Sequence, residues 1–289
     1  MSAVPVAERA APHEGALSRS WAFVRRNALT VYAMLAFTYL MLPIAVVIAF
    51  SFNHPAGRFN YTWSGFTLDN WKNWDGVPGL RSAMVLSLEI AFIASLAATA
   101  LGTLIALALV RYGFRGRGAT NFLIFLPLST PEIVLGASLL TLFLNNHVSK
   151  VLQLGFWTIL IAHVMFCISF AVVTVKARLI GFDRHLEEAA MDLGANEWVT
   201  FRKVTLPLIA PALLASLLLC FAISIDDFVV TYFNNGPKIT FPLFVWGAAR
   251  VGAPPQVNVI GSVIFLVAVT VMIANVLVQM RRERSGATA

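Results

Sequence analysis

Six stretches of this chain are long and apolar enough to cross a lipid bilayer as helices: roughly 30–52, 82–110, 119–144, 156–176, 207–233 and 257–280. A crossing takes about 20 apolar residues in helical form, and in hydrocarbon every backbone N–H and C=O must find a partner inside the protein. That constraint removes most soluble architectures. A membrane barrel would need apolar and polar residues alternating at period two, and none of the six stretches alternates. The chain therefore reads as all-α, a polytopic membrane protein with six transmembrane helices. Composition agrees: 12% of the 289 residues are charged and mean hydropathy is +0.78, whereas a soluble domain carries about a quarter charged residues.

The stretches divide the chain into a tail at 1–29, a transmembrane domain at 30–280 and a second tail at 281–289. The first twenty residues mix small, polar and charged types, as a disordered tail does. No cleavable signal is evident, because the apolar run from about Thr30 exceeds a signal-peptide core of roughly 7–15 residues. Orientation follows the distribution of Lys and Arg. With the N-terminus inside, 15 of the 21 basic residues fall on inner segments and 6 on outer ones, so both termini are expected on the cytoplasmic side. The net charge of +7 then belongs to the flanks of spans. It implies membrane lipid as the surroundings and no nucleic acid as a partner.

Several features have plain readings. The outer segment 53–81 carries Phe59, Tyr61, Trp63, Phe66, Trp71 and Trp74, rings that suit the headgroup layer and could also dock an external protein. Asn60-Tyr61-Thr62 fits a glycosylation sequon too short to carry weight. Cys167 and Cys220 lie in apolar stretches and read as small core residues. His163 and Cys167 share a helical face, but zinc needs three or four ligands, so no metal site is expected and the pair reads as core packing. No lysine follows a glycine in a phosphate-binding loop, which leaves no ATP site.

Four acids fall inside the spans, Glu89, Glu132, Asp226 and Asp227, and no Lys or Arg does, since Arg81 and Lys176 sit at span ends. A carboxylate near the bilayer centre costs on the order of 2.5–3.5 kcal/mol on insertion scales. Such residues persist mainly where they face a watery path, pair with a cation or carry a proton, and without a Lys or Arg partner the missing positive charge points to a bound cation. Asp226 lies 19 residues beyond Pro207, about 28 Å along a helix, in the outer part of its span. Glu89 lies in the outer half of the second span and Glu132 near the middle of the third, after Pro131. Together they could form a ladder of carboxylates running inward, suited to a long molecule with several positive groups. Structural roles stand beside this: Glu132 could cap a broken helix, and Glu89 could be protonated. Asp226 and Asp227 point about 100° apart on a helix, so one would line the path and the other bond a neighbouring helix or a partner.

The polar segment 177–206 separates the fourth and fifth spans. Helix propensity is high from His185 to Leu193, Gly194 suits a left-handed cap, and Glu197 to Lys203 can form a second short helix. Pro207 suits the first turn of the next span. The whole reads as a compact helix–turn–helix against the inner face, able to lie in a partner's groove.

Glu188-Ala189-Ala190, three residues, Gly194, nine residues and Val204-Thr205-Leu206-Pro207 resemble the signature loop of ABC importer permeases, with Val204 where Ile is usual. Pro43–Asn53, Leu86–Arg117, Pro127–Leu140 and Ser224–Asn258 resemble the spermidine/putrescine permeases, especially their C-type subunit; Gln256 stands where many relatives carry an acid. The resemblance implies the type I ABC importer permease fold and a permease subunit that translocates polyamines across the plasma (inner) membrane. It implies that Glu188, Ala189, Ala190, Gly194, Val204, Leu206 and Pro207 belong to a loop that engages the ATPase. The implied partners are a second permease subunit, two ATP-binding ATPase subunits and an external polyamine-binding protein. This chain would then be no enzyme and bind no cofactor, with ATP and Mg on the ATPase. Two alternatives are a proton-coupled secondary transporter, using the acids as relays, and an importer permease for another cargo such as ferric ion.

Overall fold

The computed structural model describes residues 16–57 and 59–286. In chain order the helices are α1 (Ala16–Ser51), α2 (Asp69–Lys72), α3 (Leu80–Arg111), α4 (Arg117–Ser129), α5 (Glu132–Phe143), α6 (Phe156–Ile180), α7 (His185–Asp192), α8 (Glu197–Thr200), α9 (Leu206–Asp226), α10 (Val229–Asn234), α11 (Phe241–Val251) and α12 (Pro255–Gly286). A π turn, Phe201–Thr205, joins α8 to α9. Among the described residues, five helices are long and apolar enough to cross a membrane, and the bent pair α4–α5 makes a sixth if it counts as one span. Four of the expected spans correspond to α1, α3, α6 and α12. Helix α1 starts at Ala16, so residues 16–20, expected in a disordered tail, are helical; the rest of that tail lies outside the described residues. At the other end α12 extends to Gly286.

The third and fifth spans depart from the expectation. The third bends by 109° between Ser129 and Glu132. Proline disfavours helical geometry in the preceding residue, and Thr130 before Pro131 is extended, with ψ 131°. The Thr130 hydroxyl donates to the Leu126 carbonyl at 2.6 Å, taking up an acceptor that the break leaves open. In the fifth, the expected short helix and the span are one continuous helix, Glu197–Asp226. Pro207 sits inside it without an N–H, and its ring crowds the carbonyl four residues back. The helix widens to accommodate this: the Leu206 N–H bonds to Phe201 O, five residues earlier. The same span also ends sooner than expected, because Asp227 is extended, with ψ 123°.

The described residues divide into two compact units, one from Asp75 to Pro254 and one formed by the residues up to Trp74 with those from Pro255 onward. In the first of these, α3, α6 and α9 pack together. Lipid tails are as apolar as leucine, so close approach of backbones replaces the hydrophobic drive. Ala91, Ala94, Ala98 and Ala106 of α3 are fully buried. A Cβ on Gly102 would come within 2.6 Å of the Ala171 Cβ, so only glycine allows α3 and α6 this spacing. Cys167 and Cys220 pack in the same core beside Ala98, Leu135 and Phe166.

In the other unit, α1 packs along α12. The loop after α1 is tied by asparagines. The Asn53 amide donates to Asn60 Oδ1 at 2.6 Å and to Thr62 O at 2.8 Å. Asn60 donates to Phe50 O at 2.9 Å, and Asn70 to Ser51 O and Asn53 O at 3.0 and 2.8 Å. The Asn60 side-chain amide is thus buried and committed, which makes it a poor glycan acceptor. Phe52 stacks between Phe66 and Trp71, with centroids at 5.5 and 5.2 Å.

Candidate functional site

The two helix breaks face each other. The elbow between α4 and α5, the break between α9 and α10, and one side of α6 enclose a cavity of about 650 Å³. Its lining includes Thr130, Glu132, Phe166, Phe170, Asp226 and Asp227. Three of the four acids are thereby gathered, and among the described lining residues there is no Lys or Arg.

Each acid sits differently. Glu132 is the first residue of α5, where the helix dipole favours a negative charge. Asp226 is the last residue of α9, where the carbonyl end of the helix adds to the carboxylate's negative field. Both are exposed. Asp227 turns into the wall, its side chain 6% exposed. Its carboxylate accepts from the Thr231 N–H at 2.8 Å, the Thr231 hydroxyl at 2.7 Å and the Val230 N–H at 3.4 Å, so it caps α10. It also lies 3.3 Å from His163 Nε2.

His163 is buried in α6. Its Nδ1 lies 2.6 Å from Ser224 Oγ and its Nε2 2.9 Å from Thr231 Oγ1. Because the Thr231 hydroxyl gives its proton to Asp227, its oxygen accepts, which places a proton on Nε2. For a neutral ring, Nδ1 then accepts from Ser224. Sequence reasoning had assigned His163 to plain core packing. The available signal was an ionisable ring inside an apolar span, which is a functional candidate by position.

Glu89 is not brought to this group. It lies exposed in a separate hollow of about 510 Å³ lined by Pro78, Ser82, Lys238 and Phe244. The carboxylate ladder expected from the sequence is a cluster of three with one acid apart.

The loop between α6 and α9 carries the second set of expected residues. Gly194 takes φ +87°, the left-handed cap that ends α7 and that a side chain would strain. Asn196 caps α8, accepting from the Val199 N–H at 2.9 Å. Glu188 and Ala189 are exposed, and Ala190 is half-buried. Glu188 is 3.2 Å from His185 Nδ1. Val204 and Leu206 are half-buried along the π turn, and Pro207 is exposed. Leu193 and Trp198 stand out at 90% and 68% exposure, apolar surface in need of a cover.

Beneath this loop sits Glu187, which sequence reasoning passed over in favour of its neighbour. It is buried, and its carboxylate receives both terminal nitrogens of Arg111 and the Thr205 hydroxyl. One carboxylate thus joins the end of α3, the start of α7 and the π turn. Burial pushes the Glu187 carboxyl up, but the Arg111 guanidinium and the Thr205 hydroxyl outweigh it and hold it below the usual carboxylate range. A helical period would have shown that residue 187 faces inward only if the helix axis were known.

Residues 98–283 match the family described as binding-protein-dependent transport system inner membrane component. The chain is 39% identical over 243 residues to the spermidine/putrescine transport system permease protein PotC of Escherichia coli K12, covering 84% of this chain and 90% of that protein. It is 38% identical over 238 residues to the putrescine transport system permease protein PotI of the same organism, covering 81% and 84%. Among solved structures, a chain of a bacterial ABC transporter involved in the import of the acidic polysaccharide alginate superposes with a TM-score of 0.67 at 16% identity, over 91% of this chain and 99% of that one. That likeness concerns the fold: the type I ABC importer permease architecture.

Proposed function

The chain belongs to the binding-protein-dependent transport system inner membrane components, and from that premise we propose that it is the C-type permease of an ATP-driven importer whose cargo is spermidine or putrescine. The observation that carries the cargo class is the cavity where Glu132, Asp226 and Asp227 meet with no Lys or Arg among the described lining residues. A multiply charged amine leaving water loses hydration that fixed carboxylates must replace. The names of the 38–39% identical relatives support the same cargo. A structural neighbour of equal architecture serves an acidic polysaccharide transporter, so the scaffold leaves the sign of the cargo open and the lining decides it.

In this reading the chain crosses the inner membrane several times with both termini cytoplasmic. The loop with Glu188, Ala189, Ala190, Gly194, Val204, Leu206 and Pro207 docks an ATPase subunit, with the exposed Leu193 and Trp198 beside it. A second permease, two ATPases carrying ATP and Mg, and an external binding protein complete the machine. Work comes from ATP on the partners, and this chain supplies the path and the coupling surface.

The test is uptake of labelled spermidine and putrescine by the assembled transporter carrying Asp226→Asn. Removing one member of a desolvated charge pair costs about 2–5 kcal/mol, or roughly 30- to 4000-fold. Uptake should fall by at least the lower figure while assembly persists. Near-normal uptake by Asp226→Asn, or proton-driven uptake by this chain alone, would remove the proposal.

A further inference from the structure

We propose that His163 is the positioning residue of the cation path. Acting through Asp227, it fixes the break between α9 and α10 and leaves Asp226 as the carboxylate that meets the cargo. This rests on the functional reading above and goes beyond it by dividing the two neighbouring acids.

The division follows from how each carboxylate is occupied. Asp227 already accepts two backbone N–H groups and a hydroxyl, and it faces His163 Nε2 at 3.3 Å with its side chain 6% exposed. A carboxylate saturated in this way has little left to offer a passing ammonium group. Asp226 is exposed, lines the cavity and ends α9. It points there from the last turn of α9, whose end His163 tethers at Ser224.

That stop is built by three elements. Asp227 takes ψ 123°, which directs its carboxylate onto the first N–H groups of α10. His163 holds the same cluster from α6, with Nε2 2.9 Å from the Thr231 hydroxyl that donates to Asp227. Its other nitrogen is 2.6 Å from Ser224 Oγ, one turn before the break. One imidazole therefore grips the helix on both sides of the break. With that grip removed, Ser224, Asp227 and Thr231 lose a shared partner inside a closed wall, and the end of α9 that carries Asp226 loses its anchor. The ring also answers a problem of charge. A Lys or Arg at this position would neutralise the wall and compete with the cargo, whereas an imidazole donor orients Asp227 without a fixed positive charge.

The experiment uses the transporter assembled with its partners, measuring uptake of labelled spermidine per assembled complex for single and paired variants. His163→Phe should reduce uptake at least tenfold. His163→Gln, whose amide can donate where Nε2 does, should stay within threefold of the parent. His163→Asn, which keeps a polar group near Ser224 but falls short of Thr231, should resemble Phe and stands in for it if Phe prevents assembly. His163→Phe with Asp227→Asn should be no worse, within threefold, than the more impaired single variant, because both break one network. His163→Phe with Asp226→Asn should fall short of the product of the two losses, because the ring acts by holding the end of α9 that carries this carboxylate. Unchanged uptake by His163→Phe, a loss in His163→Gln as large as in Phe, or multiplying losses at 163 and 227 would each overturn the assignment. Absence of polyamine uptake by the parent assembly would instead overturn the functional reading, and this inference with it.

Discussion

Two buried carboxylates in this molecule are held by opposite means. Glu187, under the loop between α6 and α9, is gripped by a guanidinium and a hydroxyl. Asp227, in the cavity wall, is gripped by two N–H groups, a hydroxyl and an imidazole. At the loop, a full ion pair joins three segments, so that movement of α7 must reach the end of α3. In the cavity, the same kind of pair would cancel the negative charge that a cationic cargo needs. The contrast teaches that one problem, a buried acid, is solved by an ion pair where three segments are joined and by hydrogen-bond donors where the described cavity lining holds acids without Lys or Arg.

The comparison breaks most sharply at Arg111. Arg111→Met leaves Glu187 buried without its cation, and losing one partner of a buried pair costs about 3–5 kcal/mol. The expected outcome is a clear drop in the thermal midpoint of the purified assembly, partly recovered when Glu187→Leu is added. A cost below about 1 kcal/mol would mean that the pair is no structural joint, and the contrast with Asp227 would lapse.

A smaller effect tests the loop carboxylate by pH. Since the folded-state pKa of Glu187 is depressed, its stabilisation is complete above the ordinary glutamate value of 4.5 and is lost as pH falls through the lowered value. The stability gap between the parent and Glu187→Gln should therefore be constant from pH 8 down to that ordinary value and close only below it. A gap that closes between pH 7 and 5 would show that the carboxyl is not held down.

The smallest expected effect belongs to Glu89→Gln. This acid is exposed and lines a hollow apart from the other three, so spermidine uptake should change by less than about twofold, as exposed charges contribute little. A loss comparable to that of Asp226→Asn would restore Glu89 to the path and extend the cluster to four.

Apolar runs of sufficient length without period-two alternation determined the all-α class, because only helices and closed barrels satisfy a backbone in hydrocarbon, and left the count at five crossings or six with the bent pair. The spacing from Glu188 through Gly194 to Pro207 determined the family, and the cap at Gly194 followed from its φ preference alone. Acids without Lys or Arg in the spans determined the sign of the cargo argument. What the sequence left open depended on distance between segments. Pro131 announced a break without its 109°, and Pro207 gave no notice that the helix would run on through a π turn. Asp226 and Asp227 looked like helical neighbours until their helix ended between them. His163 and Asp227 are 64 positions apart in the sequence, and Arg111 and Glu187 are 76 apart. Only the packing of α6 against the α9–α10 break, and of α7 against the end of α3, could choose which acid is held in the wall and which is free. A hydrogen bond is decided by position to a few tenths of an ångström, and such positions exist only once the helices have met.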